Sequence, residues 1–309
     1  MGVKAALSSA FFLGLSPVFG KLAILYGLPP TAVAALRTLL AALLLFLVMF
    51  LFRRPFLYIY PAGLLGCFLA GGINGLGSLL YYSALGRIDA SLGQAIYSLY
   101  PLFVALWLWL DHQPLSRLTI GRLLMVVPAL FLLTRSGHHQ VDVIGMLLML
   151  GASALYALHL PINQRVLYDM PAPTVTLYTL LSMSVVVVPS LLFTRFDPSV
   201  STTAWWALGG MTLITFISRL TLFTGVKHLG GLQTALLGLA ELLVTIVLSL
   251  LFLNEHFSLL QWLGVALLMV SLSLVKFEPS IPKRSQTGGW LSWLRPPGIP
   301  ADIPWQPHN

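Results

Sequence analysis

The chain reads as an all-α integral membrane protein, with ten transmembrane helices forming two five-helix repeats of inverted topology. Three observations carry this reading. They are a composition poor in charge, ten apolar segments separated by short polar turns, and a likeness between the two halves at a fixed spacing.

The 309 residues are 58% hydrophobic and 8% charged, with a mean hydropathy of +0.90. Soluble domains carry roughly 25% charged residues, so water is not the main solvent of this chain. The formal net charge of +8 does not point to nucleic acid, because Lys and Arg are scattered between apolar runs rather than gathered on one face. Cys67 is the only cysteine, which excludes an internal disulfide and a thiolate metal cluster. It reads as a small hydrophobe.

Crossing about 30 Å of hydrocarbon takes roughly 20 apolar residues. Such segments lie at 5–27, 31–52, 59–86, 90–110, 119–134, 143–166, 173–193, 204–226, 230–253 and 259–275. Turn and charge signals separate them, among them Arg53-Arg54-Pro55, Gly86 to Asp89, Asp111 to Pro114 and Asp169 to Pro173. The first segment is read as a retained helix rather than a signal peptide, being longer than such a peptide's apolar region and having a counterpart in the second half. The fifth is the weakest, since it is short and holds Pro128. Pro17, Pro101, Pro128, Pro161 and Pro189 are kink candidates, tolerated where neighbours satisfy the freed carbonyl.

Lys and Arg favour the cytoplasmic flanks of spans. With the N-terminus inside, Lys4, Arg53, Arg54, Arg117, Arg122, Arg165, Lys227 and the tail residues Lys276, Lys283, Arg284 and Arg295 are all cytoplasmic. Arg87, Arg135 and Arg195 fall outside. Both termini of a multi-pass cell-membrane protein are therefore expected in the cytoplasm.

The segment LYGLPPTAVAALRTLL from Leu25 resembles LYDMPAPTVTLYTLL from Leu167, 142 residues later. Ala90–Leu110 likewise resembles Gly231–Leu253, placing Leu99-Tyr100-Pro101 opposite Ala240-Glu241-Leu242. Because five is odd, the second unit enters the membrane from the opposite side, a construction that recurs in secondary transporters. The repeats are expected over residues 1–138 and 139–276, followed by a disordered cytoplasmic tail over 277–309.

The fourth-span run SLGQAIYSLYPLFVAL from Ser91 and the ninth-span run LLGLAELLVTIVLSLLFLNEHFSLLQWLGVALLMV from Leu236 are similar to the drug/metabolite transporter superfamily, specifically its EamA-type ten-helix members. Glu241, Glu255, Gln261 and Gly264 follow the family pattern. Leu242, where proline is common, and Asp111-His112, where a Gly-Glu pair is common, depart from it. The resemblance implies secondary active transport of a small metabolite by alternating access, without an ATP site. Export is the expected direction, and proton coupling is one expected mechanism. A channel, a non-transporting scaffold and an intramembrane enzyme are the alternatives, though no HExxH or Gly-x-Ser-x-Gly motif favours the last. The expected partners are a small solute and the lipid bilayer, with no nucleic acid, cofactor or metal.

Ionisable groups inside a membrane are costly and default to functional hypotheses. Lys21, Arg37, Arg219 and Glu241 qualify. Glu241 lies near the middle of its span, where it reads either as a coupling or binding group or as a structural hydrogen-bonder. Arg219 is its candidate partner. Lys21 and Arg37 either face a cavity or snorkel to the interface. Gln94, Tyr97, Tyr100, Asn74, His159 and Asn163 are neutral candidates for a binding cavity, and equally for bridges between helices. Gly71, Gly72, Gly75 and Gly77 read as close-packing sites rather than a phosphate loop. In the tail, Trp290 to Arg295 is read either as an interfacial stretch or as part of a solvated extension.

A reporter active only in the cytoplasm is expected to work when fused after Arg54, after Lys227 and at Asn309. Activity after Arg87 or Arg195 instead would overturn the orientation.

Overall fold

Hydrocarbon leaves a peptide group no partner but another peptide group, so a membrane-spanning chain of this composition must fold into helices or a closed barrel. The computed structural model describes residues 2–111, 115–134, 142–194, 200–252 and 258–277, and among these all regular structure is helical. The helices are α1 (Gly2–Leu25), α2 (Pro30–Phe52), α3 (Pro61–Leu85), α4 (Ala90–Tyr97), α5 (Tyr100–Leu110), α6 (Arg117–Thr134), α7 (Val143–Leu167), α8 (Ala172–Val187), α9 (Thr202–Leu229), α10 (Gly231–Gly238), α11 (Ala240–Phe252) and α12 (Leu259–Ser273). Glu255, His112, Arg135, Arg195 and the tail beyond residue 277 lie outside the described residues.

These elements follow the ten expected segments in order. Among the described residues, eight helical stretches are long and apolar enough to cross a membrane, counting α4–α5, α10–α11 and α8 with the 3-10 segment after it as one stretch each. α12 is shorter, and α6 has 18 residues with Pro128 inside it. The fourth and ninth segments, expected as continuous helices, are each broken in the middle. The expected kink positions divide as well: Pro17, Pro128 and Pro161 sit within helices, Pro101 opens α5, and Pro189 lies in a short 3-10 segment that ends the seventh span.

The packing has the symmetry of a two-fold exchange of halves. α1 packs on α9 and α11, while its counterpart α7 packs on α3 and α5. α2 meets its own counterpart α8, and α6 meets α12. The interface between the halves is thus the core of the molecule.

What fills that core is set by the solvent outside it. Lipid is as apolar as leucine, so helices associate through close packing and hydrogen bonds rather than by hiding apolar surface. On α2, Ala32, Ala34, Ala35, Ala41 and Ala42 are fully buried, whereas Leu43, Leu47, Leu51 and Phe52 are exposed. Hydrogen bonds then join the close backbones, such as Ser9 Oγ to the Ser218 carbonyl at 3.0 Å and Ser182 Oγ to the Phe68 carbonyl at 2.6 Å. Gly71 and Gly75 of α3 do sit against α8 as expected.

A Cβ at Gly71 would lie 2.5 Å from both Ser182 Cβ and the Thr179 carbonyl. Gly71→Val is therefore expected to cost roughly 1–3 kcal/mol through overpacking, read as a lowered unfolding midpoint of the detergent-solubilised protein. Gly209→Ala, which meets nothing within 4 Å, is the control. Equal midpoints for the two variants would show that α3 and α8 are not held this closely.

Candidate functional site

The break in the fourth span begins with proline. Pro101 has no N–H to give the Tyr97 carbonyl four residues earlier, and that carbonyl instead accepts a hydrogen bond from Ser153 Oγ of α7 at 2.8 Å. The chain tightens around it, with the Leu99 amide donating to the Ile96 carbonyl at 3.2 Å and the Leu102 amide to the Leu99 carbonyl at 2.9 Å. These i to i+3 bonds are the 3-10 pattern. The ninth span breaks at the equivalent place without proline: the Leu239 amide reaches the Leu236 carbonyl at 3.4 Å, and the Leu242 amide reaches the Leu239 carbonyl at 3.2 Å.

Two half-helices consequently begin within the bundle, α5 at Tyr100 and α11 at Ala240. Glu241 stands in the first turn of α11, where the unsatisfied amides of a helix N-terminus favour negative charge. The breaks also touch. The Tyr100 hydroxyl donates to the Ala235 carbonyl of α10 at 3.0 Å, seated so close to Gly238 that a Cβ there would overlap it. On the other side of α11, Gly14 lets α1 approach the Glu241 backbone, and the Thr245 hydroxyl lies 2.8 Å from the Gly14 carbonyl.

Beside these breaks lies a small cavity between α1, α2, α3, α4, α7, α9 and α11. Arg37, Arg219, Glu241, Gln94, Tyr97 and Asn74 line it, together with Ser16, Ser78, Tyr81, Tyr82 and Tyr156. The charged members are almost wholly buried, Glu241 at 2% exposure, Arg219 at 5% and Arg37 at 6%.

Arg37 is held by Ser78 Oγ at 2.7 Å and Thr215 Oγ1 at 3.1 Å, with its guanidinium 4.8 Å from the centre of the Tyr82 ring. The Arg219 guanidinium lies 5.5 Å from the centre of the Tyr156 ring. Its Nε and Nη1, the Arg37 Nε and the Glu241 Oε1 are buried without a hydrogen-bond partner. Gln94 accepts from the Tyr81 hydroxyl at 3.2 Å and lines the cavity together with Glu241. The tyrosine rings form a continuous wall, with centres 4.9 Å apart for Tyr81 and Tyr97 and 5.2 Å apart for Tyr97 and Tyr156. Cationic, anionic and aromatic surfaces thus meet in one space.

Six of the ten residues singled out in the sequence line this cavity: Glu241, Arg37, Arg219, Gln94, Tyr97 and Asn74. Tyr100 lies just behind the lining, its ring against Tyr97 and Tyr156. His159 and Asn163 are further along α7 and fully buried. His159 Nδ1 is bonded to the Tyr156 carbonyl, and Asn163 Oδ1 accepts from Thr179 Oγ1 at 3.1 Å. Lys21 sits at one end of the bundle and donates to the Leu85 and Ile88 carbonyls at 2.9 and 2.8 Å. Arg219 and Glu241 share the cavity, but no ion pair joins them among the described residues.

Tyr81, Tyr82 and Tyr156 are lining residues that the sequence reading passed over. The adjacent pair Tyr81-Tyr82, four residues before the end of its span, was the available signal. A tyrosine inside a span must find a hydrogen-bond partner or a polar cavity.

The sequence pattern of the EamA-like transporter family matches the chain twice, over residues 1–135 and 143–277. "Uncharacterized transporter YwfM" of Bacillus subtilis (strain 168) is 28% identical over 184 residues, 58% of this chain and 61% of that protein. "Uncharacterized transporter sll1319" of Synechocystis sp. is 26% identical over 221 residues, 67% of this chain and 66% of that protein. The chain therefore spans 61% and 66% of the length of these curated relatives. A solved structure titled "Crystal structure of protein" superposes with a TM-score of 0.64 at 17% identity, covering 87% of this chain and 98% of its own, a likeness of fold alone. With both halves matched, the chain belongs to the EamA-like transporter family.

Proposed function

We propose that the protein is a secondary active transporter that exports a small metabolite across the cell membrane by alternating access of its two repeats, residues 1–138 and 139–276. Both termini face the cytoplasm in this reading. One observation carries it: two helices broken at equivalent positions meet beside a buried cavity that holds a carboxylate and two guanidiniums with unpartnered atoms. Transporters build their sites from such discontinuous helices at the interface of inverted repeats.

The solute class follows from the charges. Two guanidiniums and one carboxylate leave the cavity net positive when all are ionised, which favours a solute bearing a carboxylate or phosphate. Arg219 Nε and Nη1 supply donors for such an anion, and guanidinium donors bind carboxylates and phosphates strongly. The tyrosine wall offers apolar surface to the rest of the solute.

Glu241 is assigned the coupling role. A carboxylate in the cavity can take a proton from one side, which neutralises it, and release it to the other, which restores the anion. Pairing with a cationic group on the solute is the alternative use of the same carboxylate. Either role needs the charge rather than the shape of the side chain.

Glu241→Gln is expected to insert normally and to lose proton-gradient-driven flux in proteoliposomes, while retaining solute binding or exchange. Flux and pH dependence equal to the parent protein would reduce Glu241 to a structural residue. Arg37→Gln is expected to weaken solute binding by roughly 1.5–3 kcal/mol, the contribution of a hydrogen bond to a charged group. Selectivity for organic cations, with Arg37→Gln unaffected, would overturn the anionic solute class.

A further inference from the structure

If the cavity is to open to alternate sides, each end of the bundle must be held shut by contacts that can break. The repeat tells where to look, because counterparts lie 142 residues apart. Lys21 of α1 and Asn163 of α7 are such counterparts. At the end of the bundle that carries Arg87, Lys21 ties α1 to the turn between α3 and α4 through the Leu85 and Ile88 carbonyls. At the opposite end, the residue after Asn163 does the equivalent. Gln164 Oε1 accepts from the Gly231 amide at 2.7 Å, tying α7 to the turn between α9 and α10.

Beside Gln164, Arg165 Nη2 meets Asp111 Oδ2 at 2.5 Å, joining α7 to the end of α5 with both side chains buried.

Between the cavity and the Arg165 end, α7 shows a second peculiarity. Tyr156, His159 and Asn163 share one helix face by their spacing. Tyr156 lines the cavity. The next two carry His159 Nε2 and Asn163 Nδ2, buried polar atoms without a hydrogen-bond partner. Such atoms cost roughly 1–3 kcal/mol each while they stay unsatisfied, and a structural histidine or asparagine would not need to carry that cost. A face that becomes wet in another state of the molecule would explain both.

We infer that the Tyr156–His159–Asn163 face of α7 is the passage from the cavity to the Arg165 end, closed here by the Arg165–Asp111 pair and Gln164, and that Lys21 is the counterpart latch at the other end. The inference rests on the alternating-access reading above. It does not depend on the solute, so its test uses none.

The test is thiol accessibility. With Cys67→Ala removing the only native thiol, His159→Cys reports on the passage and Ser16→Cys on the cavity. A charged, membrane-impermeant methanethiosulfonate reagent is applied to vesicles of each orientation. Removing both charges of the pair together, Asp111→Asn with Arg165→Gln, avoids stranding a buried charge. It is expected to raise labelling of His159→Cys from the Arg54 end by about tenfold, a modest shift of a two-state balance. Lys21→Met is expected to slow that labelling and to speed labelling of Ser16→Cys from the Arg87 end. Unchanged labelling of His159→Cys in the charge-free pair, or faster labelling from the Arg87 end, would overturn the passage. Should the double variant fail to fold, the Lys21→Met arm decides alone: the same direction of change at both reporters would overturn the pairing of latches.

Discussion

A peptide carbonyl that loses its helical partner inside a bilayer must find another within the protein, because the lipid offers none. The Tyr97 carbonyl is in that position because of Pro101, and Ser153 of the opposite repeat is what satisfies it. That bond fixes more than one group. It allows the fourth span to break at the depth of the cavity, turns Tyr97 and Gln94 toward Glu241, and brings α7 of one half against α4 of the other. Without a donor at Ser153, the break would have to close or move toward water.

The second break obeys the same constraint by other means. No proline interrupts the ninth span, yet its amides at Leu239 and Leu242 bond three residues back rather than four. The Tyr100 hydroxyl helps hold this geometry by taking up the Ala235 carbonyl over the bare Cα of Gly238. The broken helices thus stabilise one another across the pseudo-two-fold axis, and the acidic residue lands in the first turn of a half-helix.

Placing size and charge against the solvent outside explains the rest of the architecture. Alanine and glycine line the contacts between helices while leucine and phenylalanine face lipid, the reverse of a water-soluble bundle. Buried charges are drawn to polar partners within the protein: carbonyls at a helix end for Lys21, Asp111 for Arg165, Gln233 and the Ser271 carbonyl for Arg122, and the shared cavity for Arg37, Arg219 and Glu241. The cavity charges keep unpartnered atoms beside that space.

The apolar runs and the 142-residue likeness were enough to read the spans, the two halves and the candidate charges, since hydrophobic length and repetition are properties of the chain itself. Glu241, Gln94, Tyr97 and Asn74 were legible for the same reason, being polar groups stranded within apolar runs. The break in the ninth span was not, because Gly238 is one glycine among many in apolar runs and only the approach of Tyr100 shows that the helix breaks there. Nor could spacing separate Arg37, which reaches the cavity, from Lys21, which turns to the carbonyls at Leu85 and Ile88. Both lie at similar depth on adjacent helices, and only the packing decides which direction each long side chain takes. His159 and Asn163 show the same limit. Their burial could be read along α7, but their place beyond the cavity, on the way to Arg165 and Asp111, depends on how that helix crosses α5 and α9.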